Sequence, residues 1–280
     1  MTTKVTVRTI AQMKNRGEKI TMATAYDFAA ARVVDEAGID TILVGDSLGM
    51  VVLGYENTLP VTIEDMIHHG KAVVRGTKRA MVIIDMPFLT YQVSPEEALR
   101  NAGRIIQETG ATAVKLEGGV EIADTVKKIV GAGIPVFGHI GLTPQAVGQM
   151  GGFVVQGRDE KVAAQLVEDA LALQEAGACA VVLEGIPWQL GKFITEKLAL
   201  PTIGIGAGVH CDGQVLVYHD ILGLQTDLRP KFVKSFGQFY QLMVEAMRNY
   251  AAEVKAATFP APEHTFTMDE TIMAKIQEKY

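Results

Sequence analysis

Short apolar runs alternate with amphipathic helical patterns along most of the chain. The runs that we interpret as strands lie at residues 20–25, 41–45, 80–84, 112–114, 135–137, 179–183, 201–203 and 215–217. Runs that are apolar on both faces are typical of a parallel sheet that helices cover on both sides. About eight such strands predict an α/β fold of the (β/α)8 barrel (TIM barrel) type, for which about 250 residues are typical. An open, doubly wound sheet is the alternative, and periodicity alone does not distinguish the two.

Helical patterns follow several of these runs, at residues 28–37, 63–75, 95–108 and 236–256. The third begins with the capping box Ser94-Pro95-Glu96-Glu97, in which proline takes the first helical position, and it ends near Gly110. We therefore predict one barrel domain over residues 1–280. A C-terminal helical tail over about 260–280 follows the proline pair in Phe259-Pro260-Ala261-Pro262.

Composition and charge argue against several classes of protein. Lys and Arg number 26 against 32 Asp and Glu, so the net charge is −6 and the chain lacks the basic field that captures nucleic acid or an anionic membrane surface. The cysteines, Cys179 and Cys211, are too few for a disulfide scaffold and lack zinc-ligand spacing. No apolar run approaches the roughly 20 residues that span a bilayer. We expect a soluble, cytoplasmic globular protein.

Polar side chains stand at the ends of several predicted strands. In a parallel barrel these ends meet at one rim, where barrel active sites are built. An Asp or Ser in this position is often only the N-cap of the next helix. Glu is a poor N-cap, however, and both Glu117 and Glu184 precede a glycine. The strand-end residues are Asp46, Ser47, Asp85, Lys115, Glu117, His139 and Glu184.

The acidic residues among them predict a metal site. Three or more carboxylates at one rim repel each other unless a cation neutralises them. Asp46, Asp85 and Glu117 offer hard oxygen ligands, and no cysteine or paired histidine stands at ligand spacing, so the set suits Mg²⁺ better than Mn²⁺ or Ca²⁺. Because Mg²⁺ commonly keeps several waters, Glu117 is either a direct ligand or acts through water.

Lys115 and Glu117 are two positions apart and therefore share a strand face. Lys115 is a charge partner for a substrate carboxylate or enolate, a Schiff-base lysine, or a solvated side chain. Nearby carboxylates favour its ammonium form and so disfavour the Schiff base. His139 is either a ligand or a rim residue without a chemical role. The glycine clusters at 185–191 and 204–208 match neither the P-loop nor the dinucleotide fingerprint, so neither ATP nor NAD is indicated.

The sequence resembles the ketopantoate hydroxymethyltransferase family from about Thr9 to His264. The resemblance rests on ordered motifs: Thr24-Ala25-Tyr26-Asp27, Val44-Gly45-Asp46-Ser47-Leu48-Gly49-Met50-Val51, Thr58-Leu59-Pro60-Val61-Thr62, Asp85-Met86-Pro87-Phe88, Val114-Lys115-Leu116-Glu117-Gly118-Gly119, Gly138-His139-Ile140-Gly141-Leu142-Thr143-Pro144-Gln145, Gly204-Ile205-Gly206-Ala207-Gly208, Cys211-Asp212-Gly213-Gln214-Val215-Leu216-Val217 and Pro230-Lys231-Phe232-Val233-Lys234.

This resemblance implies a Mg²⁺-dependent (β/α)8 barrel that makes ketopantoate from 3-methyl-2-oxobutanoate, a 2-oxo acid. It implies that 5,10-methylenetetrahydrofolate donates the one-carbon unit, in pantothenate and coenzyme A biosynthesis, and that the protein is a homodecamer. Carried over by motif, the metal ligands are Asp46 and Asp85 with Glu117 beside them. The implied substrate-binding residues are Asp46, Ser47, Asp85, Lys115 and His139, and the implied proton acceptor is Glu184.

The chemistry is consistent with these residue types. A 2-oxo acid chelates Mg²⁺ through its carboxylate and keto oxygens, which stabilises the enolate, and a carboxylate base then takes the C3 proton. The nearest alternative is another Mg²⁺-dependent enolate enzyme of the phosphoenolpyruvate mutase/isocitrate lyase type, but its Lys-x-Cys-Gly-His-type motif is absent from this sequence. A metal-free aldolase that uses Lys115, and a self-assembling barrel that binds a metabolite without turnover, are the remaining alternatives.

Overall fold

A closed barrel of parallel strands forms the centre of the protein. The computed structural model describes residues 3–152, 154–224 and 230–280. Each strand pairs with the next in sequence, and the last strand pairs with the first, which closes the barrel. The predicted (β/α)8 barrel is therefore confirmed. The strands are β1 (Ile20–Thr24), β2 (Thr41–Val44), β3 (Met81–Asp85), β4 (Ala113–Glu117), β5 (Val136–Gly141), β6 (Ala180–Glu184), β7 (Thr202–Ile205) and β8 (Gly213–Leu216).

Helices follow most of the strands. Those of the described residues are α1 (Val7–Arg16), α2 (Phe28–Glu36), α3 (Leu48–Val51), α4 (Ile63–Gly76), α5 (Pro95–Thr109), α6 (Ala123–Gly131), α7 (Val147–Met150), α8 (Glu160–Glu175), α9 (Trp188–Lys197), α10 (Tyr218–Leu222), α11 (Phe239–Lys255) and α12 (Glu270–Lys279). The predicted signals of α5 act as expected. The Ser94 hydroxyl accepts a hydrogen bond from the Glu97 amide, and Gly110 ends the helix with φ of 76°.

The interior of the barrel is apolar over most of its depth. Side chains of alternate strand residues fill it. Helix α1, which the sequence analysis did not predict, closes the N-terminal end with Ile10, together with Val5 just before the helix. The strand members of this cluster are Ile20, Met22, Leu43, Met81, Ile83, Ala113, Phe137, Ala180, Val182, Ile203 and Val215. Because strand side chains alternate with a period of two, the next inward positions bring charged residues to the C-terminal end of the interior.

The C-terminal helices lie apart from this core. Within the described residues, α11 and α12 have no buried residue, although both carry apolar side chains. Leu242, Met243 and Met247 of α11 are 58%, 55% and 68% exposed. In the part of the chain that the structure describes, no helix combines the length and the apolar character that crossing a membrane requires. The cytoplasmic location stays a prediction.

Candidate active site

The predicted strand-end residues meet at the C-terminal end of the barrel interior. Ladder pairing sets neighbouring strand ends side by side, with Asp85 opposite Lys115 and Glu117 opposite His139. The acidic and basic side chains of this group are buried apart from Glu184, which is partly exposed, as is Ser47. The group therefore forms a mostly buried charged layer at the C-terminal end of the barrel. Its members are Asp46, Ser47, Asp85, Lys115, Glu117, His139 and Glu184.

Lys115 lies at the centre of this group. Its Nζ is 3.1 Å from Asp85 Oδ1 and 3.9 Å from Glu117 Oε1. Burial alone lowers the pKa of Lys115, but the charges of Asp85, Glu117 and Asp46 outweigh it and raise the pKa above the ordinary lysine value. The ammonium form is thus favoured, as the sequence analysis expected. A neutral lysine able to form a Schiff base is correspondingly disfavoured.

His139 bridges two carboxylates. Its Nδ1 is 3.2 Å from Glu117 Oε1, and its Nε2 is 3.2 Å from Glu184 Oε2, although this second contact lacks hydrogen-bond geometry. Burial lowers the pKa of His139, and so does Lys115, but the two glutamates prevail and raise it to about 9. The raised pKa favours the imidazolium form, which attracts the carboxylates of Glu117 and Glu184 on its two sides.

Asp46 and Asp85 carry negative charge that the protein does not neutralise completely. The Asp46 amide donates to Asp85 Oδ2 at 3.0 Å, so the two carboxyl groups belong to one local unit. Burial, Asp85 and Glu117 raise the pKa of Asp46 well above its ordinary value. Burial also raises the pKa of Asp85, although Lys115 opposes the shift. A cation placed against these oxygens would favour the ionised form of both.

The donor set fits a magnesium-type cation with few protein ligands. Among the described residues, no group of three His, Cys, Asp or Glu side chains is arranged to hold a metal by itself. Mg²⁺ is commonly bound through only one or two carboxylates, with waters and substrate oxygens completing the shell. Both oxygens of Glu117 already have protein partners, because Oε1 faces His139 and Oε2 accepts the Gln145 amide at 2.9 Å. Both oxygens of Asp85 are engaged as well, by Lys115 Nζ and by the Asp46 amide, so such contacts do not rank the carboxylates as direct ligands.

Three residues of the site were not assigned roles by the sequence analysis. Tyr26 shares a hydrogen bond of 2.8 Å with the Ser47 hydroxyl, and the Gln145 side chain donates to Asp46 Oδ2 at 2.8 Å. The Tyr91 hydroxyl donates to Gln145 Oε1 at 2.7 Å. Tyr26 and Gln145 lie in motifs that carry the family resemblance, which was the available signal. Nothing in the sequence around Tyr91 marks it.

A parallel barrel with ionisable side chains gathered at the carboxyl ends of its strands is the architecture of (β/α)8-barrel enzymes. Solved structures share this fold. A structure of phosphonopyruvate hydrolase in complex with oxalate and Mg²⁺ aligns with a TM-score of 0.60 at 12% identity, over 98% of this chain and 96% of that one. Phosphoenolpyruvate phosphomutase from Streptomyces platensis subsp. rosaceus gives 0.61 at 15%, over 98% of both chains. At these identities the likeness is one of fold.

Sequence comparison is more specific. The family description Ketopantoate hydroxymethyltransferase matches residues 4–262. The 3-methyl-2-oxobutanoate hydroxymethyltransferase of Syntrophomonas wolfei subsp. wolfei is 59% identical over 273 residues, 98% of this chain and 99% of that protein. The enzyme of that name from Carboxydothermus hydrogenoformans is 58% identical over 273 residues, with the same coverage. The chain belongs to the ketopantoate hydroxymethyltransferase family and is an enzyme of the hydroxymethyltransferase class, which confirms the resemblance.

Proposed function

We propose that this enzyme transfers the one-carbon unit of 5,10-methylenetetrahydrofolate to C3 of 3-methyl-2-oxobutanoate. The product is ketopantoate, a precursor of pantothenate and coenzyme A. The observation that carries the proposal is the buried group of carboxylates around Lys115 at the mouth of the barrel. Relatives named 3-methyl-2-oxobutanoate hydroxymethyltransferase, at 58–59% identity, support the choice of substrate.

The keto acid would bind against this charged group at the C-terminal end of the barrel. Asp46 and Asp85 would hold Mg²⁺, and Glu117 would reach it directly or through water. When bound, Mg²⁺ would withdraw electron density from the keto oxygen and make the C3 proton more acidic. Lys115 would place its charge against the substrate carboxylate or the developing enolate. The Ser47 hydroxyl would donate to the substrate carboxylate.

Glu184 would take the C3 proton. It lies two strands from Glu117 around the rim, its side chain is 15% exposed, and His139 Nε2 holds it at 3.2 Å. A base in this position would reach a substrate bound at the C-terminal end of the barrel. It would be separate from Asp46 and Asp85, which would bind the cation. In the net reaction the methylene carbon would form a bond to C3, lose both of its bonds to folate nitrogens and take its hydroxyl oxygen from water. The C3 proton and one proton of that water would end on the two nitrogens.

Proton exchange at C3 tests the first half of this scheme. Proton NMR of 3-methyl-2-oxobutanoate would be followed in D₂O with the enzyme but without folate, first with Mg²⁺ and then with EDTA. We expect the C3 signal to disappear only with Mg²⁺. Exchange that survives EDTA would instead indicate a Schiff base at Lys115. Absence of exchange in both conditions, and of product after the folate donor is added, would reject the substrate.

We also propose that the enzyme acts as a homodecamer. The support is α11, whose 17 residues include none that is buried and whose apolar side chains face water. Burial of such surface contributes roughly 25 cal/mol per Å², so association that covers it is favourable. Light scattering coupled to size exclusion would give about ten times the chain mass of 30.2 kDa. A monomer mass at micromolar concentration would reject the proposal.

A further inference from the structure

Gln145 occupies a position from which one side chain reaches the ends of two strands. It lies in the loop after β5 and is buried. Its Nε2 donates to Asp46 Oδ2 at 2.8 Å, just beyond β2, and to the carbonyl of Met86 at 3.0 Å, just beyond β3. Its backbone amide donates to Glu117 Oε2 at 2.9 Å, at the end of β4. A single residue thus contacts two of the three carboxylates predicted to face the cation.

Tyr91 anchors this residue. Its hydroxyl is within donor distance of two acceptors, Gln145 Oε1 at 2.7 Å and the Glu117 carbonyl at 3.0 Å, and it accepts a hydrogen bond from the backbone amide of Glu117 at 3.1 Å. Together with the bond from the Gln145 amide to the Glu117 side chain, these contacts form a closed ring of three residues. Tyr91 is 1% exposed, so water does not compete for these bonds.

The ring also fixes which way the Gln145 amide faces. If the amide were reversed, Oε1 would meet two acceptors, Asp46 Oδ2 and the Met86 carbonyl, and Nε2 would meet the Tyr91 hydroxyl. A buried carbonyl oxygen against two acceptors loses its hydrogen bonds, whereas in the observed orientation Nε2 donates to both acceptors and Oε1 faces the Tyr91 hydroxyl. The Asp46 carboxylate is therefore held from one side at Oδ2.

The charge of the side chain matters as much as its geometry. Lys115 already contributes a positive charge beside Asp85, and a second cationic side chain at position 145 would compete directly with a bound cation for Asp46. An amide orients the carboxylate as a donor while leaving its negative charge in place. Gln145 therefore acts on the site without neutralising it.

We propose that Gln145, anchored by Tyr91, is a positioning residue that presents Asp46 and Glu117 to the divalent cation and thereby sets the affinity for cation and keto acid. This inference rests on the proposed function and adds to it a residue that acts through the carboxylates. Gln145 has no contact with Glu184 among the described hydrogen bonds, so the proton-transfer step is expected to depend on it less than binding does.

The test compares wild type with Gln145→Met, which keeps the length of the side chain but lacks the amide. Mn²⁺ alone, without substrate, serves as the probe, and electron paramagnetic resonance of the free ion measures its binding. We expect the dissociation constant to rise about 10- to 100-fold, the usual effect of losing such an outer partner of a metal ligand. The KM for the keto acid should rise about tenfold, while kcat at saturating cation stays within about threefold of wild type.

Gln165→Met is the matched control. Gln165 Nε2 also donates to an aspartate, Asp169 Oδ1 at 3.0 Å, but on the exposed surface of α8. It should change neither Mn²⁺ binding nor KM. Wild-type Mn²⁺ binding and keto-acid turnover are measured first, and their absence would overturn the proposed function itself. With both intact, a Gln145→Met protein that binds Mn²⁺ as wild type does would overturn the role of Gln145 alone.

Tyr91→Phe provides a second variant that removes one hydroxyl and keeps the buried ring. It should weaken Mn²⁺ binding in the same direction as Gln145→Met and by a smaller factor, because the amide keeps its other contacts. Weaker Mn²⁺ binding could come from a misplaced carboxylate or from partial unfolding of the variant. Thermal melting of each variant distinguishes these two causes. A lower melting temperature with unchanged Mn²⁺ affinity of the folded protein means a purely structural role and contradicts the proposal.

Discussion

Replacement of Lys115 by methionine should destabilise the protein because it removes the positive charge from a buried anionic cluster. At an effective dielectric constant of about 20, the distances of 3.1 Å to Asp85 and 3.9 Å to Glu117 correspond to attractions of about 5 and 4 kcal/mol. Repulsion from His139, whose Nδ1 is 3.2 Å from Nζ, offsets about 5 kcal/mol of their sum. The remainder agrees with the roughly 3–5 kcal/mol that removal of one partner from a buried pair costs.

The assay is thermal unfolding in EDTA at pH 7.5 and fixed protein concentration. We expect the Lys115→Met midpoint to fall by about 6–20 °C, at about 2–4 °C per kcal/mol for a large domain. Mg²⁺ should recover part of the loss, and more than it adds to wild type, because the cation takes over the missing positive charge. Lys71→Met is the control. Lys71 pairs with Glu108 at 2.9 Å on the solvent-exposed surface, so its replacement should change the unfolding midpoint little.

The pH dependence of the fall in the Lys115→Met unfolding midpoint gives an independent check. The pKa of Asp85 is already raised in the folded protein, mainly by burial, and the loss of Lys115 raises it further. A carboxyl group with a raised folded-state pKa binds more protons folded than unfolded, so its unfavourable effect grows as pH rises. The difference in unfolding midpoint between Lys115→Met and wild type should therefore be smaller at pH 5 than at pH 8. A Lys115→Met midpoint equal to that of Lys71→Met would refute the reasoning.

Three further outcomes are expected. Glu184→Gln should retain Mn²⁺ and keto-acid binding but lose about 10²- to 10⁴-fold in kcat, and near-normal turnover would remove Glu184 as the base. Asp85→Asn should weaken Mn²⁺ binding measured by electron paramagnetic resonance, and an unchanged titration would remove Asp85 as a ligand. Ser94→Ala should lower the free energy of unfolding by about 1 kcal/mol, because the Glu97 amide at the start of α5 loses its hydrogen-bond acceptor. Denaturant titration would show a lower midpoint concentration with an unchanged slope.

The sequence is informative about the barrel because its strands are buried on both faces. Consecutive apolar residues such as those of β3 identify a strand without any long-range information. Local patterns also locate the ends of strands, and hence most of the charged group at the rim. The weaker strand β8 was predicted at 215–217 and is found at Gly213–Leu216, because glycine and glutamine at its start carry little strand signal.

Other features depend on contacts between distant segments, which a local pattern does not encode. Helix α1 has a mainly polar surface, and only its packing under the barrel shows why Ile10 is buried. Tyr91 gains its role from contacts with Gln145, 54 residues away. The sequence predicts a helix at 236–256, and α11 is found at Phe239–Lys255. Its apolar side chains are exposed, because amphipathicity says that a helix needs a partner and does not say which one.

The pairing that closes the barrel has a consequence for the synthesis of the protein. Ile20 to Ala23 in β1 pair with Gly213 to Leu216 in β8, and Lys14 Nζ reaches Asp212 Oδ2 at 2.7 Å beside that seam. At about 5–20 residues per second, the ribosome delivers the partner of β1 about 10–40 s after β1 itself. Until then the nascent sheet has two open edges that can pair with other chains. Misassociation is therefore a greater hazard during translation than after the barrel has closed.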